Sequence, residues 1–203
     1  MKILVACEES QEVTKAFRAR GHEAYSCDIQ ECSGGHPEWH IQDDIIKVLK
    51  MKSAKGDILI SHPPCTRLTN SVIWYIKEYD LYNEVDEAAD FAMKLLNCEK
   101  FKMRAMENPV PHGYAQMLLG KYTQTIQPYN FGENASKKTC LWLRGLPKLI
   151  NTGYFPPRIV DGKNRWGNQT DSGQNKLLPS PDRAKFRSKT FPGIARAMAE
   201  QWG

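Results

Sequence analysis

No run in this 203-residue chain approaches the roughly 18 consecutive apolar residues that a membrane-spanning helix needs, so no membrane partner is expected. No Cys-x-x-Cys pair occurs among the six cysteines, Cys7, Cys27, Cys32, Cys65, Cys98 and Cys140. Several of them stand in or beside apolar runs, and the set reads as reduced thiols rather than a disulfide framework. His36, His40, His62 and His112 have no regular ligand spacing with those cysteines, so no metal is expected. No internal repeat is present. The opening stretch Met1–Cys7 is too short, and Glu8 and Glu9 are too acidic a sequel, for a secretory signal; the expected location is the cytoplasm.

What is present is an ordinary apolar content and an uneven charge. Residues 1–100 carry 12 Lys/Arg and 17 Asp/Glu, a net of −5, whereas residues 101–203 carry 16 and 6, a net of +10. A basic half on an otherwise acidic chain suits a polyanionic partner, nucleic acid first, or is simply a solvated basic surface. The length allows one α/β domain with a sizeable core and an appendage.

Lys2–Cys7 reads as a first strand. Ser10–Ala19 has helical spacing, with Ser10 as N-cap and Gly21 beyond the end. Glu23–Cys27 reads as a second strand ending at Asp28. The strand–helix rhythm continues through a short helix at Ile45–Leu49, a buried strand at Ile58–Ile60, a helix at Leu81–Leu96, a strand at Met103–Met106 and a short helix at Tyr114–Leu119. Two strands then follow nearly in succession, Thr123–Pro128 and Thr139–Leu143. This pattern predicts an α/β, Rossmann-like fold: a mostly parallel twisted sheet, an antiparallel strand near one edge, and helices on both faces.

The strand at Ile58–Ile60 is stopped by Pro63-Pro64, and Cys65 follows at once. Proline cannot continue a central strand, so the thiol sits on a stiff loop just past a strand's carboxyl end. Ligands of open α/β sheets bind along that edge. Asp28, Asp44 and Glu107 also stand at predicted strand ends and converge there with Cys65. A thiolate is a strong nucleophile, and a neighbouring carboxyl group can donate or accept a proton. The pair suits a pyrimidine that sulfur attacks at carbon six while the carboxyl engages ring nitrogen three. Cys65 is otherwise a small buried hydrophobe. Asp28 is either a ribose-binding carboxylate or a plain loop aspartate.

These residues carry a resemblance. Pro63-Pro64-Cys65 resembles the catalytic Pro-Cys loop of the cytosine-5 DNA methyltransferase family, in particular its short, divergent phage-type members, and Glu107-Asn108-Pro109-Val110 resembles that family's Glu-Asn-Val motif. The resemblance implies that Cys65 is the nucleophile, that Glu107 grips the target base, and that Asn108 supports the loop. It implies S-adenosylmethionine as cofactor, with Asp28 on the ribose, Ile29 packed on adenine, and Asp44 at the adenine amino group. Pro63 falls to the cofactor side and Pro64 to the substrate side. Phe131-Gly132 through Leu141 is similar to the stretch leading into the family's Gln-x-Arg-x-Arg strand. The arginine positions fall on Lys137 and Thr139, which implies substrate contact, Lys137 steadying the base or its backbone. The family's first loop is Phe-x-Gly-x-Gly-Gly. Here Cys7-Glu8-Glu9-Ser10-Gln11-Glu12 stands in its place, with no glycine, so Glu8, Glu9 and Ser10 meet the methionine end of the cofactor, where a carboxylate suits the ammonium group.

The function expected is methyl transfer to carbon five of cytosine in DNA, or in a cytosine nucleotide, within a phage-infected or bacterial cell. Two other readings stand beside it: a pyrimidine-modifying enzyme with a different carbon donor, and a non-catalytic nucleic-acid-binding protein on a decayed fold. The expected organisation is a catalytic domain over 1–146, a basic irregular segment over 147–189 that contacts nucleic acid or drapes over the site, and a C-terminal helix over 190–203. In the middle segment Trp166 and Phe186 are interleaved with cations, a composition for base stacking or for a solvated loop. The oligomeric state is left open.

Overall fold

Along the first strand, β1 (Lys2–Ala6), every residue after Lys2 is buried. A strand buried on both faces needs cover on both. Ile3 and Val5 pack with Val13 and Phe17 of α1 (Glu12–Ala19), while Leu4 and Ala6 face the opposite cluster. The computed structural model describes residues 1–180 and 182–203. After α1 come β2 (Glu23–Asp28), β3 (His40–Gln42), α2 (Ile45–Lys50), β4 (Gly56–Ser61), α3 (Ile73–Glu78), α4 (Tyr82–Leu96) and β5 (Phe101–Pro109). Then follow α5 (Gly113–Leu119), β6 (Gln124–Ile126), β7 (Thr139–Arg144), β8 (Arg158–Val160), β9 (Lys163–Arg165), α6 (Arg183–Ser188) and α7 (Pro192–Trp202).

Seven strands form one sheet in the order β3-β2-β1-β4-β5-β7-β6. Only β7 runs against the others: it is antiparallel to both β5 and β6. Helices α1 and α7 cover one face, and α2, α4 and α5 the other. This is the Rossmann-like α/β fold, a mostly parallel sheet with one reversed strand near an edge, that the alternation of elements predicts. The reversal of β7 matters for the site. Its first residue, Thr139, pairs with Pro109, the last of β5, so the loop entering β7 lands on the edge where β4 and β5 end.

Several boundaries differ from expectation for identifiable reasons. β5 continues past Met106 to Pro109. Beyond Met106 it has lost β4 as a neighbour and pairs only with β7, and a proline is tolerated on such a half-open strand. The segment 147–189, expected without regular structure, contains the β8–β9 hairpin and α6. The hairpin turns on Asp161-Gly162, with φ of 50° and 71°, the left-handed pair that an Asp-Gly turn supplies. Trp166 is buried, stacks on Tyr129 at 4.1 Å between ring centres, and donates its indole N–H to the Phe155 carbonyl. It anchors the hairpin rather than offering a stacking face. Phe186 remains exposed.

At the start of α1 the N-cap position is Gln11, not Ser10, and the work of capping falls to Glu8. Its carboxylate accepts from the Val13 amide at 2.6 Å, the Thr14 amide at 3.2 Å and the Thr14 hydroxyl at 2.7 Å. Among the described residues no helix is long and apolar enough to cross a membrane. Replacing Glu8 by Ala strands those three buried donors; urea unfolding of Glu8→Ala should show a loss of about 3 kcal/mol.

Candidate active site

Parallel pairing of β4 with β5 sets Ser61 against Met106. One residue further on, His62 and Glu107 stand side by side at the sheet's carboxyl edge. The chain then leaves through Pro63, which is buried, and Pro64, which is exposed. The Asn108 side-chain amide donates to the Pro63 carbonyl at 3.1 Å, tying the end of β5 to the loop. Cys65 opens a turn, its carbonyl accepting from the Leu68 and Thr69 amides at 3.0 and 3.2 Å. The thiol is half-buried, so it is neither free-swinging nor sealed in the core.

Glu107 is held by two side-chain contacts on this edge. His62 Nδ1 lies 2.8 Å from its Oε2, and the Thr190 hydroxyl donates to the same oxygen at 3.3 Å. Burial by itself raises the carboxyl pKa, but the His62 hydrogen bond and charge, the Lys137 cation and Thr190 outweigh it and hold Glu107 down at about 2. Burial likewise depresses His62, yet Glu107 and the Glu8 carboxylate carry it above its ordinary value. Cys65 is pushed up by burial and by Glu107, and pulled part of the way back by Lys137 and Arg187. The thiol therefore lies within the electrostatic reach of the carboxylate and of both cations. Lys137 comes from the loop entering β7 and donates to the Arg187 carbonyl at 2.8 Å, which pins α6 beside the site. Arg187 and Thr190, on either side of the start of the C-terminal stretch, thus stand beside Lys137 and Glu107.

A second group gathers at the ends of β1, β2 and β3. The glycine-free loop after β1 still adopts glycine-like backbone: Cys7 and Gln11 have φ of 60° and 58°. Gln11 is compensated by its side chain, which donates to the His36 carbonyl at 2.8 Å and accepts from the His36 amide at 3.1 Å. Both carboxylate oxygens of Glu9 are buried and have no hydrogen-bond partner among the described residues. An orphaned buried carboxylate costs several kcal/mol unless a cation meets it. Asp28 ends β2 and accepts the Gln30 amide at 3.0 Å; Ile29 beside it is 74% exposed. Asp44 caps α2, one oxygen taking the Ile46 amide at 2.8 Å. Asp28 and Asp44 both act on the Cys7 thiol, which burial first and these charges next push up to about 12.

Some expected contacts are not open to a ligand. Glu8 is committed to α1, and Ser10 is buried where Gly34 crosses it, close enough that a Cβ on Gly34 would fall 2.6 Å from the Ser10 carbonyl. Thr139 is 1% exposed and donates to the Lys137 carbonyl at 3.2 Å; as the first residue of β7 it is covered by its neighbours in the sheet. Asn108 is equally buried and acts on the loop rather than on a surface. His62, Thr190 and Arg187 are site residues that motif matching passes over. The signal for His62 lay in its place directly before Pro63-Pro64; Thr190 and Arg187 had none, because only the chain path brings them here. Among the described residues no group of three or more His, Cys, Asp or Glu could hold a metal ion.

No protein-family model matches this chain, and no curated protein matches it. Among solved structures it is similar to a protein described as a DNA modification methyltransferase encoded within an E. coli prophage, at 14% identity and a TM-score of 0.46, over 70% of this chain and 46% of that one. It is also similar to DNMT2 of Spodoptera frugiperda, at 16% identity and 0.40, over 81% and 57%, and to WbdD, at 11% and 0.38, over 76% and 42%. The chain thus spans about half the length of these proteins.

The His62–Glu107 pair makes stability depend on pH in a defined sense. Glu107 contributes above its unfolded value of about 4.3 and loses that contribution as pH falls towards 2. His62, raised in the folded chain, contributes below about 6.5 and loses it as pH rises through its folded value. Urea unfolding of wild type and Glu107→Gln should therefore differ most, by about 3 kcal/mol, between about pH 4.5 and 6.5, and converge at pH 2.

Proposed function

We propose that this protein is an S-adenosylmethionine-dependent methyltransferase acting at carbon five of cytosine in DNA through a covalent Cys65 adduct. The observation that carries the reading is a half-buried thiol on a proline-stiffened loop, within electrostatic reach of the Glu107 carboxylate on the adjacent strand. A flat ring entering this edge meets sulfur from the loop and carboxyl from β5. Cys65, as thiolate, bonds to carbon six; Glu107 holds ring nitrogen three; Lys137 and Arg187 offset the negative charge that gathers there. The base must first leave its stack, at a cost of a few kcal/mol. The basic surface that includes Arg187 and Lys137 suits the phosphate backbone of such a substrate.

The residues at the ends of β1 to β3 fit the cofactor. Glu9, buried and without a partner, suits the ammonium group; Asp28 suits the ribose hydroxyls; exposed Ile29 offers a face to adenine; and Asp44 keeps one carboxylate oxygen for the adenine amino group. When bound, the cofactor supplies the methyl group that carbon five takes up before it loses its proton and the carbon–sulfur bond breaks.

Calorimetry should detect S-adenosylmethionine binding, weakened about tenfold or more in Glu9→Gln, equivalent to about 1.4 kcal/mol. With the cofactor and a random-sequence pool of duplexes bearing 5-fluorocytosine, mass spectrometry should find a protein–DNA adduct that Cys65→Ser abolishes. An adduct that survives Cys65→Ser refutes the assignment of the nucleophile. Absence of cofactor binding, with or without DNA, refutes the methyl donor and turns the reading to another one-carbon donor.

A further inference from the structure

His62 adds a second titratable group to the edge that holds Glu107. His62 is partly buried on the same edge as Cys65, its Nδ1 is bonded to Glu107, and its Nε2 is buried with no partner among the described residues. Glu107 is thus the ring's sole hydrogen-bond partner among the described residues. This creates a chemical problem. Nitrogen three of neutral cytosine carries a lone pair, so an ionised carboxylate facing it repels it. Burial opposes ionisation, but His62, Lys137 and Thr190 keep Glu107 ionised at neutral pH. To engage the ring, Glu107 needs a proton, and His62 is the acid already bonded to it.

We propose that His62 is a positioning residue that both aims Glu107 and stores the proton Glu107 delivers to ring nitrogen three. The inference rests on the proposed pyrimidine chemistry. The groups facing the imidazole are consistent with storage. The Glu8 carboxylate, from the loop after β1, and Glu107, from β5, favour the imidazolium; Lys137, from the loop before β7, opposes it.

The step balances within the site. As the Cys65 thiolate bonds to carbon six, the ring's double-bond electrons shift towards nitrogen three, which takes a proton from Glu107. Glu107 takes one from Nδ1 of the His62 imidazolium. The ring gains one proton and His62 loses one, ending as the neutral tautomer protonated at Nε2. When the carbon–sulfur bond breaks, the proton returns along the same route. Cys65 gives its thiol proton to solvent before the attack and regains it after release, so no co-reactant beyond solvent is needed.

The test reads the first step alone. While the adduct lasts, carbon five is electron-rich and exchanges its hydrogen with solvent, so wild-type protein should exchange cytosine C5–H in a random-sequence duplex pool in D2O without any methyl donor, as read by mass spectrometry. His62→Asn places an amide N–H near the Nδ1 position, preserving the aim but not the stored proton. Its alkaline limb should fall from the imidazolium range into the carboxyl range, leaving exchange at pH 7 about 100-fold slower, with no recovery at higher pH. An active His62→Asn protein with the wild-type pH profile overturns the inference while the proposed function stands. A wild-type protein that forms no 5-fluorocytosine adduct and exchanges nothing overturns both. As a check that does not depend on activity or on His62→Asn folding, 15N spectra of the histidine rings should show the His62 titration midpoint falling by more than about one unit in Glu107→Gln; an unmoved midpoint also overturns the inference.

Discussion

The parallel register between β4 and β5 is the constraint from which the candidate site follows. Because Ser61 stands opposite Met106, the next residue on each strand meets its neighbour at the rim, and a part-buried imidazole–carboxylate contact of 2.8 Å closes there. A slip of one residue would turn every side chain of β4 to the other face of the sheet and part this pair. The slip is opposed by the packing itself: Ile58 and Ile60 face α1 and α7, while Leu59 faces α2 and α4. Hydrophobic alternation in the middle of the strand therefore fixes polar geometry at its end.

The loop after β1 shows a different economy. Backbone that glycine adopts freely is here imposed on Cys7 and Gln11, at a cost of about 1–2 kcal/mol each. Gln11 recovers part of it by bonding to both backbone groups of His36, and Glu8 recovers more by holding the start of α1. Side chains thus substitute for the missing glycines in shaping the turn. The result leaves one buried carboxylate, Glu9, with neither oxygen hydrogen-bonded among the described residues.

Much of the fold was legible because it rests on patterns that sequence displays directly. Apolar runs of four to six residues alternating with amphipathic stretches mark β1, β4 and α4, and Pro63-Pro64 marks where the chain leaves the sheet. The convergence of Asp28, Cys65 and Glu107 on one edge follows from parallel topology alone. What stayed hidden depends on distant partners. Glu8 takes over the capping expected of Ser10 because the helix N-terminus curls back onto the earlier residue, and Thr139 is lost to the sheet interior because β7 has neighbours on both sides. The β8–β9 hairpin was marked by Asp161-Gly162 between Ile159-Val160 and Lys163, a signal that the surrounding proline, asparagine and lysine content masks.

That hairpin has a consequence for how the chain can change. Its stem is moored by the Tyr129–Trp166 stack, while its tip at Asp161-Gly162 is exposed and free of the sheet. Additional residues spliced in at the tip would extend outward without disturbing the mooring, whereas lengthening the stretch between β6 and β7 would displace Tyr129, Lys137 and the hairpin together. The hairpin tip is therefore a place where the chain can lengthen, and the loop entering β7 is one where it cannot without moving the site.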